Sequence, residues 1–194
     1  MVTEELNLFL SASIPMPERN KKYIGTADVI AIRDSVLALT TVALTNYHLI
    51  WGGHPSITAL IAHVLRHSDR EANKHVTLYQ TKYFERFFPL ENESVAHIEY
   101  TPDLGDKPTS LLDMRTKMIA NHKYHAAFFI GGMEGVEDEF AIFTKYHPET
   151  IVYPVASTGA AAKILFDASP GKYDKRLLTD LTYASLFKDL LNIK

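Results

Sequence analysis

The chain has 194 residues with a net charge of −3 at pH 7, and 46% of the residues are hydrophobic. That length predicts a single domain over residues 1–194, with enough chain to bury a sizeable core. Because the charge is nearly balanced and forms no long run of one sign, the composition excludes generic binding to nucleic acid. The sequence contains no cysteine, which excludes disulfides, thiolate catalysis and cysteine zinc sites.

The N-terminus and the apolar content indicate a cytoplasmic protein. The first residues are acidic and carry no signal-peptide pattern. No apolar stretch approaches the length of a membrane span, so we expect no membrane contact. The nine histidines show no HExxH pattern, and we expect neither a metal site nor a cofactor. The dinucleotide pattern GxGxxG and the P-loop pattern are absent as well.

Strand and helix patterns alternate along the chain. Short apolar runs predict strands at 7–12, 48–51, 75–79, 95–100, 126–130 and 150–155. Helical spacing predicts helices at 27–45, 55–67, 108–121 and 177–191, with others after residue 135 and from residue 158 onward. Strands separated by helices pair in parallel through right-handed crossovers. We therefore predict an α/β fold, a Rossmann-like three-layer αβα sandwich with a mainly parallel sheet and ligands at the carboxyl ends of its strands.

The segment 130–140, IGGMEGVEDEF, is the most informative part of the sequence. Three glycines between a buried strand and a helix allow a sharp turn and a close approach of a ligand to main-chain N–H groups. The helix start is acidic, which suits ribose hydroxyls and disfavours a phosphate. A glycine pair can also be only a tight turn, and acidic residues are common partners of a helix dipole. The predicted ligand-binding residues of this loop are Gly131, Gly132, Met133, Gly135 and Glu139.

Three other predicted strands also end in small or hydroxyl-bearing residues just before a helix. Since parallel strands bring their carboxyl ends to one edge of the sheet, we expect these loops to converge on a single pocket. Phosphate is predicted near 53–56 and near 157–159, where no acidic residue opposes the positive end of a helix. The predicted binding residues of these loops are Ser11, Ser13, Gly52, Gly53, His54, Pro55, Ser56, Ser157, Thr158 and Gly159.

Two segments in series resemble the signature of the lysine-decarboxylase-like LOG proteins. Arg115 lies on a predicted helix, a strand follows, and Gly131 and Gly132 begin a loop that resembles PGGxGTxxE, with Glu139 as its glutamate. In that pattern Ile130 replaces the proline, Val136 replaces the threonine, and one extra residue precedes Gly135. With these departures, the sequence resembles the wider SMF/DprA–LOG superfamily, SLOG, more than it resembles true LOG enzymes. The loops 9–15, 51–57 and 154–161 look like those of its defence-associated branch.

The resemblance to the defence-associated branch implies a sensor of nucleotide signals made from NAD. It implies binding of a phosphorylated, ribose-containing nucleotide such as ADP-ribose or cyclic ADP-ribose, with antiviral defence as the setting. Arg115 would pair with a phosphate and Glu139 would accept from ribose hydroxyls. Arg19 with Lys21 or Lys22 would close over the pocket. The resemblance also implies a homo-oligomer, with 177–191 as a candidate face, and a TIR-type or effector protein as a partner.

Other functions stay open from the sequence. The runner-up is a LOG-like phosphoribohydrolase that cleaves the N-glycosidic bond of a nucleotide, with Arg115 and Glu139 as its catalytic residues. A nucleoside deoxyribosyltransferase is a third reading. An interaction module with a vestigial pocket is a fourth, because a Rossmann-like core can persist while function moves to the surface. Its interface would lie around Phe84, Phe87, Phe88 and Pro89, residues for which core packing is the alternative.

Overall fold

The structure, a computed structural model, describes residues 6–18 and 20–193, and its centre is a six-stranded sheet. The strands are β1 (Asn7–Ser13), β2 (His48–Gly52), β3 (Val76–Thr81), β4 (Ile98–Thr101), β5 (Tyr124–Gly131) and β6 (Ile151–Val155). Their order is β4-β3-β2-β1-β5-β6, and every pairing is parallel. This confirms the predicted Rossmann-like α/β sandwich.

Helices cover both faces of the sheet. They are α1 (Lys21–Ile24), α2 (Val29–Asn46), α3 (Pro55–Arg66), α4 (Lys107–Ala120), α5 (Glu134–Tyr146), α6 (Ala160–Asp167), α7 (Arg176–Thr179) and α8 (Tyr183–Leu190). Short 3-10 helices lie at Arg70–His75, Lys82–Phe87, Leu90–Ser94 and Ala156–Thr158. One apolar cluster joins α2, α3 and α8 to the sheet, and a second joins α4, α5 and α6 to the opposite face.

The central strand β1 shows why the sheet needs two helical layers. Leu8 and Leu10 pack into the cluster with α2 and α3, whereas Phe9 points to the other face and packs against Phe129 and Phe143. All three β1 residues are fully buried. A strand buried on both faces is apolar at consecutive positions, which is the pattern of a parallel sheet covered by helices.

The chain reverses its direction of progress across the sheet at β1. The strands β1 to β4 run outward on one side, and the chain then returns to place β5 on the other side of β1. In open parallel sheets, such a switch point opens a crevice at the carboxyl ends of the neighbouring strands. The helices α3, α4 and α5 all begin at this edge, because each directly follows a strand or the loop after one.

Two expectations from the sequence are wrong. The predicted helix 177–191 is two short helices, because the Asp180 carboxylate accepts hydrogen bonds from the Thr182 N–H (2.7 Å) and hydroxyl (2.6 Å) and forms a turn between them. The apolar residues Leu186 and Phe187 of α8 are buried within the chain itself. Self-association through this segment stays a prediction.

The expectation that no apolar stretch approaches a membrane span is also corrected. The helix α2 has 18 residues and a mean hydropathy of 1.3, which is long and apolar enough to cross a membrane by length and composition alone. Its residues Ile32, Val36 and Leu39 are fully buried in the core beside the sheet. This is the behaviour of a helix that packs in the core of an α/β domain.

Candidate functional site

A cavity of about 1180 Å³ opens at the carboxyl edge of the sheet, above β1, β2 and β3 and between α4 and α5. The lining residues from the strand ends and their loops are Ser13, Met16, Gly53, His54, Pro55, Gln80 and Thr81. The lining residues from the segment after β3 are Phe84, Phe87, Phe88 and Pro89. The remaining ones lie on α4, on α5 or at the residue before α5, and are Lys107, Pro108, Leu111, Leu112, Met114, Arg115, Met133, Glu134, Gly135, Asp138, Ala141 and Ile142.

The first turns of three helices line this cavity. Pro55 begins α3, Lys107 and Pro108 begin α4, and Glu134 and Gly135 begin α5. Each helix start carries about half a positive charge from its aligned peptide dipoles. The α3 and α4 starts therefore favour an anionic ligand, whereas the carboxylates of Glu134 and Asp138 oppose one at the start of α5.

The start of α5 also offers unused hydrogen-bond donors. The residue before the helix, Met133, makes no side-chain cap bond. Within the described residues, the N–H groups of Met133, Glu134 and Gly135 donate no hydrogen bond. Free N–H groups are normal in a first helical turn, and a ligand or water satisfies them. All three residues line the cavity.

Arg115 and Glu139 form the polar centre of the site. The Arg115 Nε donates to Glu139 Oε1 at 3.2 Å, and its Nη1 donates to Asp138 Oδ2 at 3.0 Å. The Ser11 hydroxyl, which is buried at the end of β1, donates to Glu139 Oε2 at 2.5 Å. The predicted partners Ser11, Arg115 and Glu139 are therefore brought into direct contact.

The Glu139 carboxyl lies in a poorly solvated place, with 13% of its side chain exposed. Burial raises the pKa of this carboxyl, while the Arg115 charge and the Ser11 hydrogen bond act in the opposite direction. A recess of about 120 Å³ reaches Glu139 and shares Ser13, Gly53 and Arg115 with the main cavity. Glu139 thus faces a small chamber beside the main cavity.

Gly135 allows Arg115 to lie over the start of α5. A Cβ atom built on Gly135 would lie 2.6 Å from Arg115 Nη2, which is closer than real contacts allow. Any larger residue at this position therefore moves the guanidinium. The third glycine of the predicted loop has a specific steric role beside the cavity.

The other two glycines of that loop shape the turn. Gly131 and Gly132 have φ angles of 54° and 86°, in the left-handed region that favours glycine. Their N–H groups donate to Thr158 Oγ1 and to the Ser13 carbonyl oxygen, each at 2.8 Å. Neither residue lines the two cavities. They position Met133 and α5, and a direct contact with a ligand stays a prediction.

The loop 52–56 uses most of its donors inside the protein. The Gly53 N–H donates to the Tyr79 carbonyl oxygen, and the His54 N–H donates to that of Gly52, both at 2.9 Å. The Ser56 hydroxyl is 2.8 Å from His54 Nδ1. Gly52 lines the recess, and Gly53 and His54 line both the cavity and the recess. Pro55 lines the cavity at the start of α3. A phosphate here would be attracted by the α3 dipole, but it would find few free N–H groups to bind.

The loop 157–159 packs against another segment. The Thr158 hydroxyl donates to the Val155 carbonyl oxygen, the Thr158 carbonyl accepts from the Asp28 N–H, and Gly159 packs on the Thr26 carbonyl. The Ser157 hydroxyl lies 3.0 Å from the Tyr183 hydroxyl. None of the three predicted binding residues of this loop lines either cavity.

The basic segment predicted to close over the pocket lies elsewhere. Lys22 pairs with Glu137 at 3.0 Å, and the Tyr23 hydroxyl donates to the same carboxylate. These contacts tie α1 to α5 outside the cavity lining. Lys21 does not line the cavity, and Arg19 lies outside the described residues.

Sequence reasoning missed two parts of the site. Lys107 lines the cavity and forms no ion pair within residues 6–18 and 20–193. The aromatic residues Phe84, Phe87 and Phe88 line the same cavity, although core packing or an interface was expected for them. The clustering of three phenylalanines before a proline was the available signal. Among the described residues no group of three histidine, aspartate or glutamate side chains is arranged to bind a metal ion.

Comparison with known proteins adds one match. A family model described as the SLOG cluster3 family matches residues 22–191. The matched range includes Arg115, Gly135 and Glu139, together with the loops after β2, β5 and β6. No curated protein and no solved structure matches the chain.

Proposed function

The chain belongs to the SLOG cluster3 family, whose membership suggests binding or processing of a nucleotide, and from this we propose that the cavity binds a phosphorylated, ribose-containing nucleotide. The observation that carries the proposal is the convergence of the α3 and α4 starts and of two cationic side chains, Lys107 and Arg115, on one cavity. Concave, mostly apolar spaces with a few convergent polar groups are the usual sites of small ligands.

The charges of the cavity favour phosphate at α4 and ribose at α5. Lys107 is exposed and without an ion pair in the described part of the chain, so its ammonium is available to an anion. Arg115 is already bonded to Asp138, whose side chain is 58% exposed, so water can replace that bond when a phosphate draws the guanidinium away. The carboxylates of Asp138 and Glu139 are acceptors for ribose hydroxyls.

The finer identity that we propose for the ligand is an NAD-derived signal, ADP-ribose or cyclic ADP-ribose. A cavity of about 1180 Å³ exceeds what one nucleoside monophosphate needs, since pockets for drug-sized ligands span roughly 300–1,000 Å³. Titration calorimetry against ADP-ribose, its cyclic isomers, NAD and AMP tests the proposal. Heat of binding from at least one of them supports it, and folded protein that binds none of them overturns it.

A matched pair of lysines tests the phosphate contact. Lys107 lies over the Phe84 ring with its Nζ 5.9 Å from the centroid, and Lys145 lies over the Tyr146 ring at 6.0 Å but outside the cavity. We expect Lys107→Ala to weaken binding of the best nucleotide about tenfold and to reduce its salt dependence. Lys145→Ala, which removes the same charge and a similar ring contact, should bind as the wild type does.

A second candidate function is favoured by the state of Glu139. We propose, as this second function, that the protein is an N-glycosidic hydrolase of nucleotides. In it, Glu139 would donate a proton to the leaving base or stabilise positive charge on the ribose. Burial raises the pKa of the Glu139 carboxyl, which favours the protonated form that a general acid needs. The recess places this carboxyl beside the same space as Arg115.

The conservative variant Glu139→Gln separates the two functions. If the protein is a hydrolase, the variant should lose about 100-fold or more in the rate of base release while its nucleotide affinity changes little. Chromatographic detection of free adenine from AMP or nicotinamide from NAD is the measurement. Base release at an unchanged rate, or absent from the wild type as well, rejects the hydrolase and leaves binding as the function.

A further inference from the structure

The segment after β3 brings three aromatic rings to the cavity. It runs as a 3-10 helix at Lys82–Phe87, then Phe88 and Pro89, then a second 3-10 helix at Leu90–Ser94. The rings of Phe84, Phe87 and Phe88 all line the cavity. Phe88 stacks on Tyr100 of the edge strand β4, with 5.6 Å between the ring centroids and 24° between the planes.

These rings are not part of the closed core. The core phenylalanines, such as Phe128 and Phe129, are fully buried, whereas the Phe87 side chain is 76% exposed and Phe84 is half-buried. An exposed apolar cluster at the mouth of a cavity is a common mark of a binding site. The Phe87 ring is therefore open to the cavity, while Lys107 lies over the Phe84 ring and Phe88 stacks one face on Tyr100.

The aromatic segment is fixed in position by buried polar contacts. The Asn92 side chain donates to Gln80 Oε1 at 2.7 Å, and both residues are buried. The Thr81 hydroxyl at the end of β3 accepts from the Tyr83 N–H at 3.3 Å. These bonds tie both 3-10 helices to β3, so the rings are held ready for a ligand and little ordering cost remains to be met on binding.

The aromatic rings and the Arg115–Glu139 centre lie at different ends of the cavity, and Lys107 lies at the aromatic end, over the Phe84 ring. The rings follow β3, whereas Glu139 bonds to Ser11 at the end of β1, and β3 is separated from β1 by two strand spacings, or about 10 Å. A ligand that contacts both ends must be elongated, with a planar group at the rings and polar groups near Lys107 and near the Arg115–Glu139 centre. A nucleotide has this shape, with a planar base and a phosphorylated ribose.

We propose that Phe84, Phe87 and Phe88 form a subsite that binds the planar base of the nucleotide. This inference rests on the proposed function and adds the chemical class of the group that the aromatic end takes. Every base has a π-face, and stacking on an aromatic side chain stabilises its binding without reading the base edge. The subsite thus accounts for affinity, while the polar end selects for ribose and phosphate.

Three ligands separate the two ends of the cavity by calorimetry. AMP carries base, ribose and phosphate, ribose 5-phosphate lacks the base, and adenosine lacks the phosphate. The variants are Phe87→Ala, whose exposed ring contributes little to folding, and Phe84→Leu, which keeps an apolar side chain but removes the π-face. The control is Phe166→Leu on α6, a half-buried ring that packs on Tyr173 away from the cavity.

We expect AMP to bind more tightly than ribose 5-phosphate, and both cavity variants to weaken AMP and adenosine by about 5- to 150-fold. Ribose 5-phosphate should bind all proteins equally, and Phe166→Leu should match the wild type for every ligand. Equal affinities of AMP and ribose 5-phosphate, or unchanged AMP and adenosine binding in both cavity variants, overturn the subsite and leave the proposed function standing.

The remaining outcomes also distinguish the two claims. Adenosine that binds as tightly as AMP and is lost in the cavity variants, with no binding of ribose 5-phosphate, supports the subsite and overturns the phosphate site. No binding of any of the three ligands to folded protein overturns the subsite, and the titrations with ADP-ribose, its cyclic isomers and NAD then decide the proposed function.

Discussion

The loops after β5 and β6 both place glycine just before a helix and have opposite surroundings. Both contain glycine at a left-handed φ angle, 54° and 86° at Gly131 and Gly132 and 70° at Gly159. After β5, the next N–H groups line a cavity and have no partner in the described part of the chain. After β6, the backbone of Thr158 and the residues that follow is bonded to the segment 26–28.

The difference teaches that the residues after a left-handed glycine at a strand end are either left open to a cavity or covered by another segment. The deciding feature is the connection between α1 and α2, which lies on the β6 loop and leaves the β5 loop open. If this assignment is correct, substitutions in the β6 loop change stability, and those at the start of α5 change binding. The four predictions below test that division.

The largest effect is expected for Gly159→Ala. Gly159 has φ 70° and ψ −156°, a region almost exclusive to glycine, and a Cβ there would overlap the Thr26 carbonyl oxygen. Because backbone cannot move aside as a flexible side chain does, we expect a loss of about 3 kcal/mol or more in the free energy of unfolding. Urea unfolding followed by circular dichroism measures it.

Gly171→Ala is the matched control for this loss. Gly171 has a similar φ of 78°, but nothing lies within 4 Å of a Cβ built there. The control carries only the backbone cost, about 1–2 kcal/mol. Equal losses in the two variants would mean that contact with Thr26 contributes nothing, and the β6 loop would then lose its assigned packing role.

A smaller loss is expected for Thr158→Val. The buried Thr158 hydroxyl accepts from the Gly131 N–H at 2.8 Å and so joins the β6 loop to the β5 loop. Valine has nearly the same shape, but it leaves that N–H buried without a partner, which costs about 1–3 kcal/mol. Thr41→Val on the exposed side of α2 removes a hydroxyl that bonds only to the Leu37 carbonyl, and it should change stability by less than about 0.5 kcal/mol.

Gly135→Ala should affect binding instead of stability. The added methyl group displaces Arg115, the flexible end of a side chain, while alanine is a better helix former than glycine, so unfolding should change by less than about 1 kcal/mol. Loss of one well-placed hydrogen bond to a charged group should weaken AMP about tenfold or more. Calorimetry and thermal unfolding of the same sample test both halves. Gly25→Ala, where a Cβ has only the Lys21 carbonyl at 3.9 Å, is the control; AMP affinity equal in both variants would place Arg115 outside the binding site.

The fold was predictable because its signals are local and strong. Apolar runs such as 126–130 and the proline at the start of α3 predict elements that the structure has at nearly the same bounds. Alternation of strands and helices then limits the sheet to parallel pairing. The prediction of one C-terminal helix was wrong because one hydrogen-bonding side chain, Asp180, interrupts a pattern that otherwise has helical spacing.

The candidate site was predictable only where its residues follow one strand–helix unit. Gly135 and Glu139 lie on the helix that the glycine loop begins, and Arg115 lies on the preceding helix, so their contact follows from the order of elements. The position of the aromatic rings beside the cavity was not predictable, because 3-10 turns have no long sequence period. Gln80 and Asn92 fix the rings through contacts that form only in the folded chain. The covering of the β6 loop by segment 26–28 is likewise a long-range contact.

The smallest expected effect is the pH dependence of stability from Glu139. Burial raises the pKa of this carboxyl above its ordinary 4.5, and Arg115 and Ser11 offset part of that rise while Asp138 adds to it. The folded chain therefore binds the proton more tightly than the unfolded chain does, so stability falls as pH rises from about 4.5 through the folded pKa and is constant above it.

The variant Glu139→Gln isolates this term, because the difference in unfolding free energy between it and the wild type cancels every other titrating group. His122 is one such group: burial lowers its pKa from 6.5, which makes stability rise with pH in both proteins alike. We expect the variant to gain stability relative to the wild type as pH increases from 4.5 to neutral. A flat difference across that range would show that Arg115 fully compensates the buried charge, and Glu139 would then be ionised and suited to accepting from ribose hydroxyls but not to donating a proton.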